Sequence, residues 1–148
     1  MQIADFLAPD SVLAAVRAPD KRDILETLSK QAASILPLDE GAIFTALQAR
    51  ENLGSTGMGE GIALPHARLP AVPRPVGVFA QLRQPIDFDA IDSKPVDLVF
   101  LLLLPIDSKG EQLQALACVS RRLRDREVAK RLRSLREPAE LFSVLAAD

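Results

Sequence analysis

The residues best able to do chemistry lie in one run, RENLGSTGMGEGIALPHAR, from Arg50 to Arg68. His66 is the chain's only histidine, and four of its seven glycines fall between Gly54 and Gly61. A neutral imidazole can attack phosphorus, hold the phosphoryl group as an N–P bond and later release it. That chemistry needs one ring nitrogen exposed and the other bound to an acceptor, so that the reacting nitrogen keeps its lone pair. It also needs donors for the phosphoryl oxygens and space for an approaching group. The run offers candidates for each part: backbone N–H groups around Gly57, hydroxyls of Ser55 and Thr56, and guanidinium groups of Arg50 and Arg68. A solitary histidine can equally serve as an ordinary structural residue, so residue types alone leave both roles open.

Other uses of a glycine-rich loop fit poorly. Gly54 and Gly59 have the separation of a nucleotide-binding P-loop, but Glu60 stands where the lysine belongs. Gly57, Gly59 and Gly61 have the wrong spacing for a dinucleotide fingerprint, and they lead into a strand-like segment rather than a helix. One histidine and one distant cysteine make no metal-ligand cluster, so neither a metal nor a cofactor is expected. Cys118 lies among apolar residues of a helical pattern and reads as a buried, inert thiol.

The elements around the run follow from periodicity and caps. Ser11–Val16 reads as a short strand. A helix follows, N-capped by Asp20, with Asp23 in its first turn, an apolar stripe of Ile24, Leu28, Ala32 and Ile35, and a stop at Pro37. A second helix begins at Asp39 and turns Ile43, Phe44 and Leu47 inward. GIALPH is a short strand ending on His66. Val76–Leu82 is a strand, and Val96–Leu104 is an unbroken apolar run, as expected of a central strand covered on both faces. The next helix is read with Leu113, Leu116, Ala117 and Leu123 on its inner side. The basic segment Arg121–Arg136 forms another helix, and a last one carries Pro138 in its first turn. Strands mixed with helices on both sides predict an α/β fold, a three-layer α/β/α sandwich around a small mixed sheet. In such folds, ligand chemistry sits where strand ends open onto loops.

The 148 residues are expected to form a single domain, 1–148, with no repeat or flexible linker. Leu69–Gly77, with three of the eleven prolines, reads as a stiff surface connection. With one cysteine, no signal-like leader and no apolar run of membrane-spanning length, the chain is expected to be cytoplasmic, without membrane insertion. Net charge is −2, yet Arg121–Arg136 holds eight basic residues against Asp125 and Glu127. No aromatic residue interleaves them, so they read as a solvated helix face rather than a nucleic-acid site. Asp87, Asp89, Asp92 and Asp97, with Ile86, Phe88 and Ile91, read either as an acidic and apolar docking surface or as a solvated, turn-rich edge.

The order of Arg50, Glu51, Leu53, Gly54, Ser55, Thr56, Gly57, Gly59, Gly61, Ile62, Pro65 and His66 resembles the phosphorylation segment of enzyme IIA proteins of the bacterial phosphotransferase system, of the fructose/mannitol/nitrogen type. The resemblance continues through nearly the whole chain, and FDAIDSKPVDLVF is most similar to the nitrogen-regulatory branch. It implies that His66 accepts a phosphoryl group from the phosphohistidine of an HPr-like carrier (NPr), charged by an enzyme I homologue with phosphoenolpyruvate. Arg50 would lie beside the phosphorylated ring. Phosphorylation state would regulate partners such as potassium transporters or sensor kinases. Related proteins often carry a second histidine where this chain has Gln112, with Gln114 two places on; a glutamine amide donates hydrogen bonds but brings no charge. Arg50 would then bear more of the electrostatic load. Two other readings share the fold: a sugar-specific enzyme IIA serving a separate permease, and a non-catalytic binding module that needs no reactive histidine.

Overall fold

The computed structural model describes residues 1–107 and 109–147. Two short 3-10 turns, Ile3–Asp5 and Pro9–Ser11, lead into β1 (Val12–Val16). Helices α1 (Lys21–Ile35) and α2 (Glu40–Asn52) follow. Next come β2 (Gly57–Gly59), β3 (Ile62–Ala63), β4 (His66–Arg68), β5 (Val76–Ile86) and β6 (Val96–Leu104). The chain ends in α3 (Lys109–Arg124), α4 (Arg126–Ser134) and α5 (Pro138–Ala146). The expected caps are in place: Asp20 accepts from the Asp23 N–H at 2.9 Å and Asp39 from the Ala42 N–H at 2.9 Å. Asp125 caps α4 through the N–H groups of Glu127 and Val128, so the basic segment Arg121–Arg136, expected as one helix, is split between the end of α3 and α4.

The sheet is mixed, in the order β1-β5-β6-β3-β2, with β4 also paired to β6. Its apolar centre explains the layers. On β6, Leu98, Phe100, Leu102 and Leu104 pack towards α3, α4 and α5. Val99, Leu101 and Leu103 pack towards α1 and α2. Alternation with a period of two thus feeds two cores from one uninterrupted apolar run.

Three local expectations are corrected. Strand β5 runs on to Ile86, because the ladder passes Pro85 through a register irregularity between Gln81 and Ile86. On α1, Ile35 is exposed, and Leu25 joins Ile24, Leu28 and Ala32 in the core. On α3 the buried face is Ala115, Cys118, Val119 and Leu123, whereas Leu113 and Ala117 point outward. Small residues occupy the contact with the sheet, so the larger Leu113 is a misleading guide. Cys118 is buried as expected, its Sγ 3.5 Å from the Met1 carbonyl.

Strands β3 and β4 form one line along β6. Ile62 and Ala63 pair with Leu98 and Val99, and His66, Ala67 and Arg68 with Leu102, Leu103 and Leu104, at one constant offset. The ladder is interrupted at Leu64 and Pro65, where proline has no N–H to donate. The Pro65 carbonyl still accepts from Leu102 at 2.9 Å, while the Leu64 N–H turns away to the Thr56 carbonyl at 3.0 Å. Residue 64 therefore faces away from β6, and its carbonyl, on the same edge as its N–H, is open to His66.

Candidate functional site

His66 stands half-buried at the start of β4, near the carboxyl end of β6. Its ring Nδ1 lies 2.9 Å from the Leu64 carbonyl oxygen. A carbonyl can only accept, so Nδ1 carries the proton and Nε2 keeps its lone pair. Burial holds the imidazole below its ordinary pKa of 6.5. The Leu64 bond works in the opposite direction, the positive charges of Arg50 and Arg68 add to the lowering, and Glu51 opposes it. The ring is thus neutral at pH 7 with its tautomer set by the backbone.

The sign of the consequence is fixed. Below about pH 6.5 the unfolded chain binds more protons at His66 than the folded chain does, so stability falls as pH drops from there towards the lower folded-state value. The expected result is a His66 ring titration with a midpoint below that of free histidine. It is read from the ring C–H resonances, which the single histidine makes unambiguous. A matching loss of stability on acidification should be reduced in His66→Gln.

The glycine loop is held from two sides. From the α2 side, the buried Glu51 carboxylate accepts the Thr56 N–H at 3.0 Å and the Thr56 hydroxyl. Lys21, at the start of α1, lies 2.9 Å from Glu51 and 4.7 Å from the centre of the Phe88 ring. From the other side, the segment after β5 braces the loop. Ser55 donates its hydroxyl to the Phe88 carbonyl at 2.6 Å, Ile91 donates its N–H to the Gly57 carbonyl at 3.3 Å, and Asp92 accepts the Glu60 N–H at 2.9 Å.

Both hydroxyls expected to serve phosphoryl oxygens are therefore committed to the loop's own structure. Thr56 is buried on Glu51 and Ser55 is bound to Phe88, so their contribution is to shape the loop. The acidic segment is likewise corrected as an apolar docking surface. Ile86, Phe88 and Ala90 are buried and alternate with exposed Asp87, Asp89 and Ile91, so all its large apolar residues except Ile91 face the core. Asp97 is occupied by Arg133, with a 3.0 Å contact between Oδ2 and Nε.

Gly57 is where the two braces meet. A Cβ there would stand 2.8 Å from both Cα and Cβ of Ala90. Gly57→Ala is expected to force the brace away from the loop and cost about 1–3 kcal/mol, the usual range for overpacking a filled site. The midpoint of urea unfolding checks it.

Arg50 and Arg68 act on the ring by charge, and the remaining candidates are differently engaged. Arg50, in the last turn of α2, donates from Nη1 to the Gly54 carbonyl at 2.8 Å, which fixes the guanidinium over the loop. Arg68 is exposed and two residues along β4 from His66, hence on the same side of the strand. Gln112 is half-buried in the first turn of α3, the helix covering the Leu102 face. Sequence reasoning assigned no role to Leu64, Glu51 or Lys21. The Leu64 role is a backbone one, for which residue type gives no signal.

The described residues hold no group of three His, Cys, Asp or Glu side chains able to bind a metal ion. No helix among them is long and apolar enough to cross a membrane.

Comparison with known proteins adds an independent observation. Residues 5–148 match the family model described as the phosphoenolpyruvate-dependent sugar phosphotransferase system, EIIA 2. The chain is 44% identical to the nitrogen regulatory protein of Bradyrhizobium diazoefficiens, over 99% of this chain and 95% of that protein. It is 41% identical to the nitrogen regulatory protein of Escherichia coli K12, over 98% of this chain and 90% of that protein. Its fold matches the crystal structure of the nitrogen regulatory protein IIA-Ntr from Neisseria meningitidis with a TM-score of 0.92 and 31% identity, covering 97% of this chain and 98% of that one.

Proposed function

The chain belongs to the EIIA 2 family of the phosphotransferase system, and from that premise we propose that it is a nitrogen-type regulatory phosphocarrier charged on Nε2 of His66. The observation that carries this reading is the Leu64 carbonyl on Nδ1, which leaves a neutral, half-exposed imidazole with a free lone pair at Nε2. The donor is the phosphohistidine of an HPr-like carrier. The N–P bond to the carrier's imidazole breaks and its electron pair returns to that nitrogen, while the Nε2 lone pair forms the new N–P bond. No proton need leave His66 in this step, and Nδ1–H stays on Leu64.

Arg50 and Arg68 flank the ring with positive charge that lowers its proton affinity and would attract the phosphoryl oxygens. Backbone N–H groups of the loop and the Gln112 amide are the uncharged supports in this reading, Gly57 serving by the close approach that shapes the loop. The state of His66 would then be read by regulated proteins such as potassium transporters or sensor kinases.

Incubation with phosphoenolpyruvate, enzyme I and an HPr-like carrier tests the proposal. Intact-mass measurement should show a gain of one phosphoryl group that acid removes, and phosphorus NMR should report the Nε2 isomer. No uptake, or an acid-stable adduct, would overturn it. Arg50→Gln should slow transfer roughly 10- to 100-fold, the worth of one charge-assisted hydrogen bond in a transition state. Single-turnover transfer from the charged carrier measures it; an unchanged rate would remove Arg50 from the mechanism.

A further inference from the structure

A second cationic site lies away from His66, in a groove of about 340 Å³ between the β2–β3 turn and α4. Arg126, Lys130 and Arg133 line it from α4 and Arg124 from the end of α3. The first three are spaced four and three residues apart, which puts them on one helical face. Val128 and Leu132 turn the opposite way, into the core, while Ala129 lies between Arg126 and Arg133 on the groove side. Ile62 and Leu123 supply an apolar floor. Among the described residues, Arg124, Arg126 and Lys130 have no carboxylate within 4.0 Å, and the single acid lining the groove is the exposed Glu60.

Arg133 differs from the others because it is already placed. Its Nε bonds both Asp97 oxygens at 3.0 and 3.1 Å, and its Nη2 donates to the Glu60 carbonyl at 2.7 Å. Gly61, at φ +80°, leaves the room: a Cβ there would lie 2.6 Å from Arg133 Nη2. Gln81, buried beneath, donates to the Leu132 carbonyl at 2.6 Å and so fixes the end of α4 against the sheet. The groove therefore has one rigid wall and three cations without an ion-pair partner. From Arg126 to Arg133 the helix rises by about 10 Å, a span that one phosphate cannot fill but two can.

We propose that this groove binds a small metabolite carrying two phosphate groups, at a site separate from the phosphoryl-transfer histidine. Guanidinium forks are well matched to phosphate, and the apolar floor suits the carbon skeleton between the two groups. The short length of the groove and the lack of any stacking aromatic along it favour such a ligand over a nucleic acid strand.

Amide NMR titration of the intact protein with fructose 1,6-bisphosphate and with pyrophosphate, at about 150 mM salt, tests the proposal. The expected result is saturable shifts confined to Glu60–Ile62 and 123–133, with a Kd near or below ~1 mM for fructose 1,6-bisphosphate and weaker binding of pyrophosphate, which has no carbon skeleton. Arg126→Gln and Lys130→Gln, both at exposed positions, should each weaken binding about tenfold while leaving the thermal midpoint unchanged. Absence of saturation, shifts spread over all surface arginines, or tighter binding of a single-stranded oligonucleotide with a steep salt dependence would each overturn it.

Discussion

His66→Ala is expected to abolish phosphoryl uptake outright, with the fold retained. In the reconstituted transfer mixture the variant should show no mass gain, while its far-ultraviolet circular dichroism and urea midpoint stay close to those of the parent. The size of the chemical effect follows from the reaction: with the nucleophile removed there is no covalent intermediate, and the chain holds no second imidazole to substitute. The small structural effect follows from the site. The imidazole is half-exposed and makes a single hydrogen bond among the described residues, to a carbonyl that water can satisfy once the ring is gone. His66→Gln separates chemistry from shape. Its side-chain amide N–H can replace the donor to Leu64, yet an amide has no nucleophilic lone pair on nitrogen, so transfer should be equally absent. Residual uptake in either variant would locate the phosphoryl group elsewhere.

The half of the candidate site around His66 was legible in the sequence, and the supporting half was not. His66, its glycines and Pro65 are contiguous, so residue type and spacing suffice to find them. The α/β layering was legible for a similar reason: Val96–Leu104 is apolar throughout, and capping residues mark where the first two helices begin. The supports are set by distance in space. The Leu64 carbonyl is available because residue 64 turns its polar edge away from β6, and backbone groups carry no residue signature. Lys21 meets Glu51 because α1 and α2 pack together, which no spacing announces. The brace after β5 was readable in principle. Ile86, Phe88 and Ala90 alternate with Asp87, Asp89 and Ile91, a pattern that marks one buried face. Counting aspartates drew attention to the charges and away from the period.

These supports share one physical problem. The loop ahead of His66 is rich in glycine, so it has much conformational freedom to lose, and it must still present a fixed shape beside the ring. The fold meets that cost with polar groups taken out of water: Glu51 at 7% exposure, Thr56 at 6% and the half-buried Ser55, each hydrogen-bonded to a partner. A buried carboxylate is tolerable only while its counter-charge and hydrogen bonds are complete. The stability of the loop is thereby concentrated in the contact between Lys21 and Glu51.

Lys21→Met is accordingly expected to cause a large loss of stability for a change at the mouth of a helix. The Glu51 side chain is 2% exposed and would be left without a counter-ion. Breaking one side of a buried pair costs about 3–5 kcal/mol. In a chain of this size the loss corresponds to a fall in thermal midpoint of roughly 10 °C. Adding Glu51→Gln should restore part of the lost stability, because the neutral amide can still accept from the Thr56 N–H while leaving no charge behind. Thermal melts of the two single variants and the double decide the matter. A double variant less stable than Lys21→Met alone would show that packing rather than charge pairing holds the loop.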